Sequence, residues 1–140
     1  MNFNDAQITS LYVGEDGSVA DVQDDAPNAP AAKKFRVTLE MVAGGGVAGP
    51  YELITTCSDL TDTAPAAALN PPAPLNGPGT FGGVEWQVDT GVGPTDRVFK
   101  HTQVIAPPKV RGHVYRYTAA LRSTNGQIVS IRQSDPFILL

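Results

Sequence analysis

At 140 residues the chain suits one domain, long enough to bury roughly two-thirds of its unfolded surface without a metal or disulfide. Charged residues make up 17% of it, below the usual ~25%, and 14 glycines with 12 prolines suit short strands joined by many turns rather than a helical bundle. The net charge of −4 argues against a nucleic-acid partner, and no apolar run approaches the ~20 residues of a membrane helix. The polar start at residues 1–5 lacks the parts of a signal peptide, so the expected location is cytoplasmic or within an assembled particle.

Residues 7–13 read as a first strand, 14–17 as a turn and 18–22 as a short second run, so the chain is expected to open with a hairpin. The connection from Asp24 to Ala32 is polar and carries Pro27 and Pro30, which suits a surface loop or hinge. Phe35, Val37, Leu39, Met41 and Ala43 then alternate with Arg36, Thr38, Glu40 and Val42, a strand with its odd face buried. Gly44 to Pro50 contains four glycines in seven residues, and residues 51–57 follow as the returning strand. A phosphate cradle would lead into a helix with Lys and Ser or Thr at its end, whereas this loop leads into a strand. Cys57, the one cysteine, shares a face with Tyr51 and Leu53 and reads as an inert core residue. A catalytic thiolate needs a nearby cation, and Thr55, Thr56, Ser58 and Asp59 supply none.

Between Asp59 and Gly83 lie five prolines. Thr63 suits a helix cap, Pro65 a first turn, and Ala66 to Leu69 have helical propensity, so one helical turn followed by an extended, polyproline-like path is expected. Such a path loses little entropy on binding, which makes Pro71, Pro72 and Pro74 candidate contact residues if the segment is more than a connector. Val84, Trp86 and Val88 alternate with Glu85 and Gln87, placing the one Trp on a buried strand face. A turn over 89–96 leads into 97–105, where Val98 and Val104 share one face, and Phe99 and Ile105 share the other. A bulge, or burial of both faces, is expected there.

Tyr115, Tyr117, Ala119 and Leu121 alternate ahead of Asn125 and Gly126, and a second apolar run follows at 128–131, which together signal a hairpin. A two-residue loop would set Leu121 opposite Ser130 and Ala119 opposite Arg132, so the apolar stripes would miss each other. A three-residue loop, Thr124 to Gly126, pairs Leu121 with Val129 and Ala119 with Ile131, and this register is the expected one. The apolar end, Phe137 to Leu140, needs cover and is expected to complete an edge strand.

Eight to ten short strands with little helix favour a sandwich over a barrel. The series Tyr115, Tyr117, Ala119, Leu121 and Ser123 with Gly126 resembles the penultimate strand and final turn of fibronectin type III and related immunoglobulin-like domains. It covers about a fifth of the chain, and Pro108, seven residues ahead of Tyr115, stretches the family's spacing. The resemblance implies an all-β, immunoglobulin-like antiparallel β-sandwich over residues 1–140, with a long Pro-rich loop at 59–83 and at most one short helix. Such folds host adhesion, scaffolding and carbohydrate binding alike, so the likeness alone selects no function.

Residues 1–96 hold thirteen acids against three bases, and residues 97–140 hold seven bases against one acid, so the halves carry −10 and +6. If early and late strands mix in each sheet, these charges interleave. Otherwise the basic half, with Arg97, Lys100, Lys109, Arg111 and Arg116, offers a contact surface for a protein partner or for self-association. His101 and His113 are the weak metal candidates. They would face one another in a direct hairpin, with Asp96 or Glu85 as a further ligand, but a sandwich would place them in opposite sheets. No Gly-x-Ser-x-Gly is present, and no catalytic residue or cofactor is expected. The functional expectation is a non-catalytic binding or assembly module, such as a virion or secretion-apparatus part, with no nucleic-acid or membrane partner. Its rival is a small ligand-binding protein or enzyme whose site lies beneath 59–83, with Cys57, Trp86, His101 and His113 near the floor.

Overall fold

The computed structural model describes residues 6–15, 34–44, 50–80, 86–88, 97–106, 112–123 and 128–138. In chain order the strands are β1 (Ala6–Glu15), β2 (Phe35–Ala43), β3 (Pro50–Asp59), β4 (Ala64–Pro65), β5 (Gly77–Thr80), β6 (Trp86–Val88), β7 (Arg97–Ile105), β8 (Val114–Ser123), β9 (Ile128–Gln133) and β10 (Phe137–Ile138). They form an all-β sandwich of two antiparallel sheets. The first runs β1-β2-β7-β6, and the second runs β10-β8-β3-β4, with β5 also paired to β3 and β9 also paired to β8. Among the described residues no helix is long and apolar enough to cross a membrane.

Period-two alternation builds the core. Phe35, Val37, Leu39, Met41 and Ala43 of β2 are all buried, as are Tyr51, Leu53 and Cys57 of β3 and Tyr115, Tyr117, Ala119 and Leu121 of β8. β3 does not return along β2. It crosses to the second sheet and pairs with β8 from Tyr51 opposite Ser123 to Asp59 opposite Tyr115. The described partner of β1 is β2, with Glu15 opposite Phe35, while the expected second run at 18–22 lies outside the described residues. So do the 24–32 connection, most of the Gly-rich loop, the 89–96 turn and the Trp86 side chain.

The mixed parity of β7 has another cause than a bulge. β2 and β7 pair without a shift from Phe35 opposite Ile105 to Ala43 opposite Arg97. Phe99 and Ile105 are buried on the odd face, while Val104 is 47% exposed. His101 and Gln103 interrupt the inward stripe between them, and the Gln103 amide donates to the Ala73 carbonyl at 3.0 Å. A segment remote in sequence thus satisfies the polar interruption.

The stretch after Asp59 folds back instead of running extended. β4 pairs with Ser58 and Asp59, a 3-10 turn spans Ala67–Leu69, and β5 pairs with residues 50–53 of β3. The expected helical turn is present, but Thr63 does not cap it. Thr63 sits at φ 50, its hydroxyl donates to the Asp62 carbonyl, and the residue before the turn, Ala66, offers no side-chain cap. Between β4 and β5 both backbone groups of Cys57 find partners outside the strands. Cys57 N–H donates to Asn70 Oδ1 at 2.8 Å, and the Cys57 carbonyl accepts from Ala66 N–H at 2.9 Å. Leu69 and Leu75 are buried in the core, and the Tyr117 hydroxyl donates to the Leu69 carbonyl at 2.7 Å.

The β8–β9 hairpin corrects the expected register. Arg122 opposite Ile128 agrees with a three-residue loop, but a shift follows immediately, and Leu121 then faces Ser130 while Ala119 faces Arg132. The loop itself lies outside the described residues. The inward Ser130 is compensated because its Oγ accepts from the Ile8 N–H of β1 at 3.0 Å, tying the two sheets together at this edge. Ile131 is turned outward and is 59% exposed. Beyond β9, Ser134 takes both backbone groups of Tyr117, donating its N–H to the carbonyl at 2.9 Å and accepting the amide on Oγ at 3.0 Å. β10 then closes the edge as expected. Phe137 is buried, its ring 5.6 Å from Tyr117 with 9° between the planes, while Ile138 is 36% exposed.

Candidate functional site

Of the basic candidates, the two whose side chains are described, Lys100 and Arg116, lie in different sheets. Lys100 of the first sheet stands opposite Glu40 and pairs with it at 3.3 Å. Arg116 lies on the outward face of β8 opposite Ser58, its Nε buried without a hydrogen-bond partner. Arg97 stands opposite Ala43 by its backbone. Its side chain, Lys109 and Arg111 lie outside the described residues. Arg122 and Glu52 form a second cross-strand ion pair. In both pairs an acid from the early half meets a base from the late half, so the opposite charges interleave here. Of the prolines, Pro72 is exposed and Pro74 half-buried, whereas Pro71 is buried and gives no surface to a partner.

The two histidines are apart, His101 within β7 of the first sheet and His113 just ahead of β8 of the second. His101 sits in β7, its Nε2 3.1 Å from the Gln103 amide nitrogen, which donates to it. His113 enters β8 after Gly112, whose φ of +77 suits glycine. The other expected ligands, Asp96 and Glu85, lie outside the described residues. His113 instead meets two carboxylates from the β3–β4 turn: its Nδ1 is 2.7 Å from Asp59 Oδ2 and 3.6 Å from Asp62 Oδ2.

Backbone bonds from both sides fix this corner. Asp59 Oδ1 accepts the N–H groups of Thr61 at 3.0 Å and Asp62 at 3.1 Å. Leu60 N–H donates to the Val114 carbonyl at 2.7 Å, and Val114 N–H donates to Thr61 Oγ1 at 2.9 Å. The imidazole rests over Tyr115, with ring centroids 6.4 Å apart. Its hydrogen bond holds the Asp59 carboxyl below the usual carboxylate range, with the turn's N–H groups and the imidazolium charge assisting. In turn, the Asp59 hydrogen bond raises the His113 imidazole above its ordinary value, and the charges of Asp59 and Asp62 add to that. One ligand atom from each of Asp59, Asp62 and His113 lies within 4.8 Å of the others, so together they could hold a cation. Asp59 and His113 are 54 residues apart, and no local motif marks them. The only signal that could have found them was the β3–β8 register, which sets Asp59 opposite Tyr115.

Cys57 is buried, and burial pushes its thiol up to about 12, so it stays protonated near neutrality. It supplies no thiolate. The remaining feature is the outward face of the second sheet, where Ile54 stands opposite Ala120 and Ala120 opposite Ile131. This apolar row crosses three strands, next to the row that holds Glu52 and Arg122.

No family model matches the sequence, and no curated protein matches it. Among solved structures, a glycosyl hydrolase family 2 (GH2) member from Bacteroides cellulosilyticus DSM 14838 is similar, with a TM-score of 0.49 and 12% identity. The likeness covers 91% of this chain and 15% of that one.

Proposed function

We propose that this chain is an immunoglobulin-like β-sandwich serving as a non-catalytic assembly module, which pairs with a second copy of itself through the outward face of its second sheet. Strand order supports the first part. β1-β2-β7-β6 follows the A-B-E-D order of an immunoglobulin constant sheet, and β3, β8 and β9 follow C-F-G.

The observation that carries the contact surface is the row Ile54, Ala120 and Ile131, with Ile131 59% exposed because the shift in β9 turns it outward. Burying roughly 100 Å² of that side chain against another copy contributes about 2.5 kcal/mol per protomer. Charge supports a second copy as the occupant. Glu52 and Arg122 stand side by side with opposite sign, so under a twofold axis along the strands between β3 and β8, each Glu52 meets the other copy's Arg122. A single-signed patch would repel its own copy. The rival site beneath 59–83 would require the segment to lift, against the burial of Leu69 and Leu75 and the Tyr117 bond to Leu69.

Size-exclusion chromatography with light scattering over a concentration series tests the proposal. The expected mass at high concentration is twice that of the 14.7 kDa chain, falling to the monomer in Ile131→Glu. Arg122→Glu weakens the pair, and adding Glu52→Arg restores it. A wild-type monomer at every concentration, or a dimer indifferent to Ile131→Glu, refutes the proposal.

A further inference from the structure

The corner between the β3–β4 turn and the start of β8 carries an inference independent of self-pairing. We propose that Asp59, Asp62 and His113 form a site for a divalent transition-metal ion of the Zn²⁺ type, with its remaining coordination positions open to water. Two carboxylates alone are ordinary on a protein surface. Here an imidazole nitrogen lies between them, and one nitrogen with two carboxylate oxygens is a donor set that Zn²⁺ accepts.

Three features support occupancy. The donors come from two elements already joined by the Leu60–Val114 and Val114–Thr61 hydrogen bonds, so the ion need not order a loop to bind. Asp59 keeps its second oxygen on two backbone N–H groups, the kind of outer support that orients a ligating carboxylate. Among the described residues no Lys or Arg pairs with Asp59 or Asp62, so two carboxylates face one imidazole and keep a negative balance even when it is protonated.

Binding asks for a small change. Nδ1 of His113 releases its proton to solvent and gives its lone pair to the ion. The 2.7 Å contact with Asp59 Oδ2 then opens to about 3.3 Å, the ligand-to-ligand edge of a tetrahedral site with bonds near 2.0 Å. Asp62 Oδ2, at 3.6 Å from Nδ1, already stands close to that separation.

Asp62 separates this site from a simple His113–Asp59 ion pair, because the pair does not need it and the ion does. Its side chain is 62% exposed, so Asp62→Asn leaves the fold intact. The experiment titrates the chelator-treated full chain with ZnCl₂ by calorimetry. One equivalent per chain is expected, weakened about tenfold or more in Asp62→Asn and in His113→Gln, unchanged in His101→Gln, and displaced poorly by Mg²⁺ or Ca²⁺, which prefer oxygen donors. If His113→Gln does not fold, Asp62→Asn alone decides. The proposal is overturned by the lack of saturable binding up to about 1 mM, by undiminished binding in Asp62→Asn, by loss of binding in His101→Gln, or by Ca²⁺ binding as tightly as Zn²⁺.

Discussion

Replacing Leu69 with Ala tests whether the stretch after β3 belongs to the core or covers a site. Leu69 closes the 3-10 turn and is 1% exposed, in the cluster that holds Leu53, Leu75 and Tyr117. Removing the equivalent of three methylenes costs about 2.4 kcal/mol in transfer alone. A cavity that cannot collapse brings the loss to about 3–5 kcal/mol, a large share of the ~5–15 kcal/mol that holds a domain folded. With a urea slope of about 1–3 kcal/mol/M, the midpoint falls by roughly 1–5 M with the slope unchanged. The control is Ala68→Ser on the exposed side of the same turn, which should shift stability by no more than about 0.5 kcal/mol. A loss below about 1 kcal/mol for Leu69→Ala would mean that the turn docks loosely, and the reading of 59–83 as a lid would return.

Other consequences are as direct. In the folded protein at pH 8, Cys57 should resist a disulfide thiol reagent and react at once in denaturant, because burial lifts its thiol to about 12; native reactivity like that of a free thiol contradicts this. With chelator present, the His113–Asp59 pair should shape stability against pH on both sides. Asp59 is lowered from 3.8, so its share is full above that value and is lost as pH falls through the depressed folded value. His113 is raised from 6.5, so its share is full below 6.5 and is lost as pH rises through the elevated folded value. Urea midpoints should therefore fall as pH rises above 6.5 in the wild type but not in His113→Gln, and parallel curves would show that the contact is not made. In an Ile131→Glu background, a double-mutant cycle on Glu52 and Arg122 should give at most ~1 kcal/mol, since the side chains are 43% and 39% exposed. A coupling of more than about 2 kcal/mol would place the pair in a buried setting.

Where one face was uniformly apolar, the fold was legible in the sequence. β2 and β8 alternate without interruption, and their inward residues are those that the parity selects. Legibility failed where a polar residue had a remote partner. The expected hairpin register assumed that the apolar stripe of β9 seeks the core, yet Ser130 goes inward because the Ile8 amide needs an acceptor there, and that leaves Ile131 outside. β7 looked two-faced because His101 and Gln103 interrupt its stripe, and the Ala73 carbonyl that receives Gln103 is 30 residues away. β3 reads as a strand from its own residues, but its partner, β8, is fixed by sheet topology and not by the loop that precedes it. The corner at His113 was illegible for the same reason, since it exists only once β3 and β8 are in register.

Self-pairing through the second sheet is tested most directly by methyl and amide NMR of the full chain across a dilution series. Pairing through this face should give concentration-dependent shifts at Ile54, Ala120, Arg122 and Ile131, with inward Leu39 and Leu53 unmoved. Spectra that superimpose at all concentrations, or shifts confined to the first sheet, would contradict it.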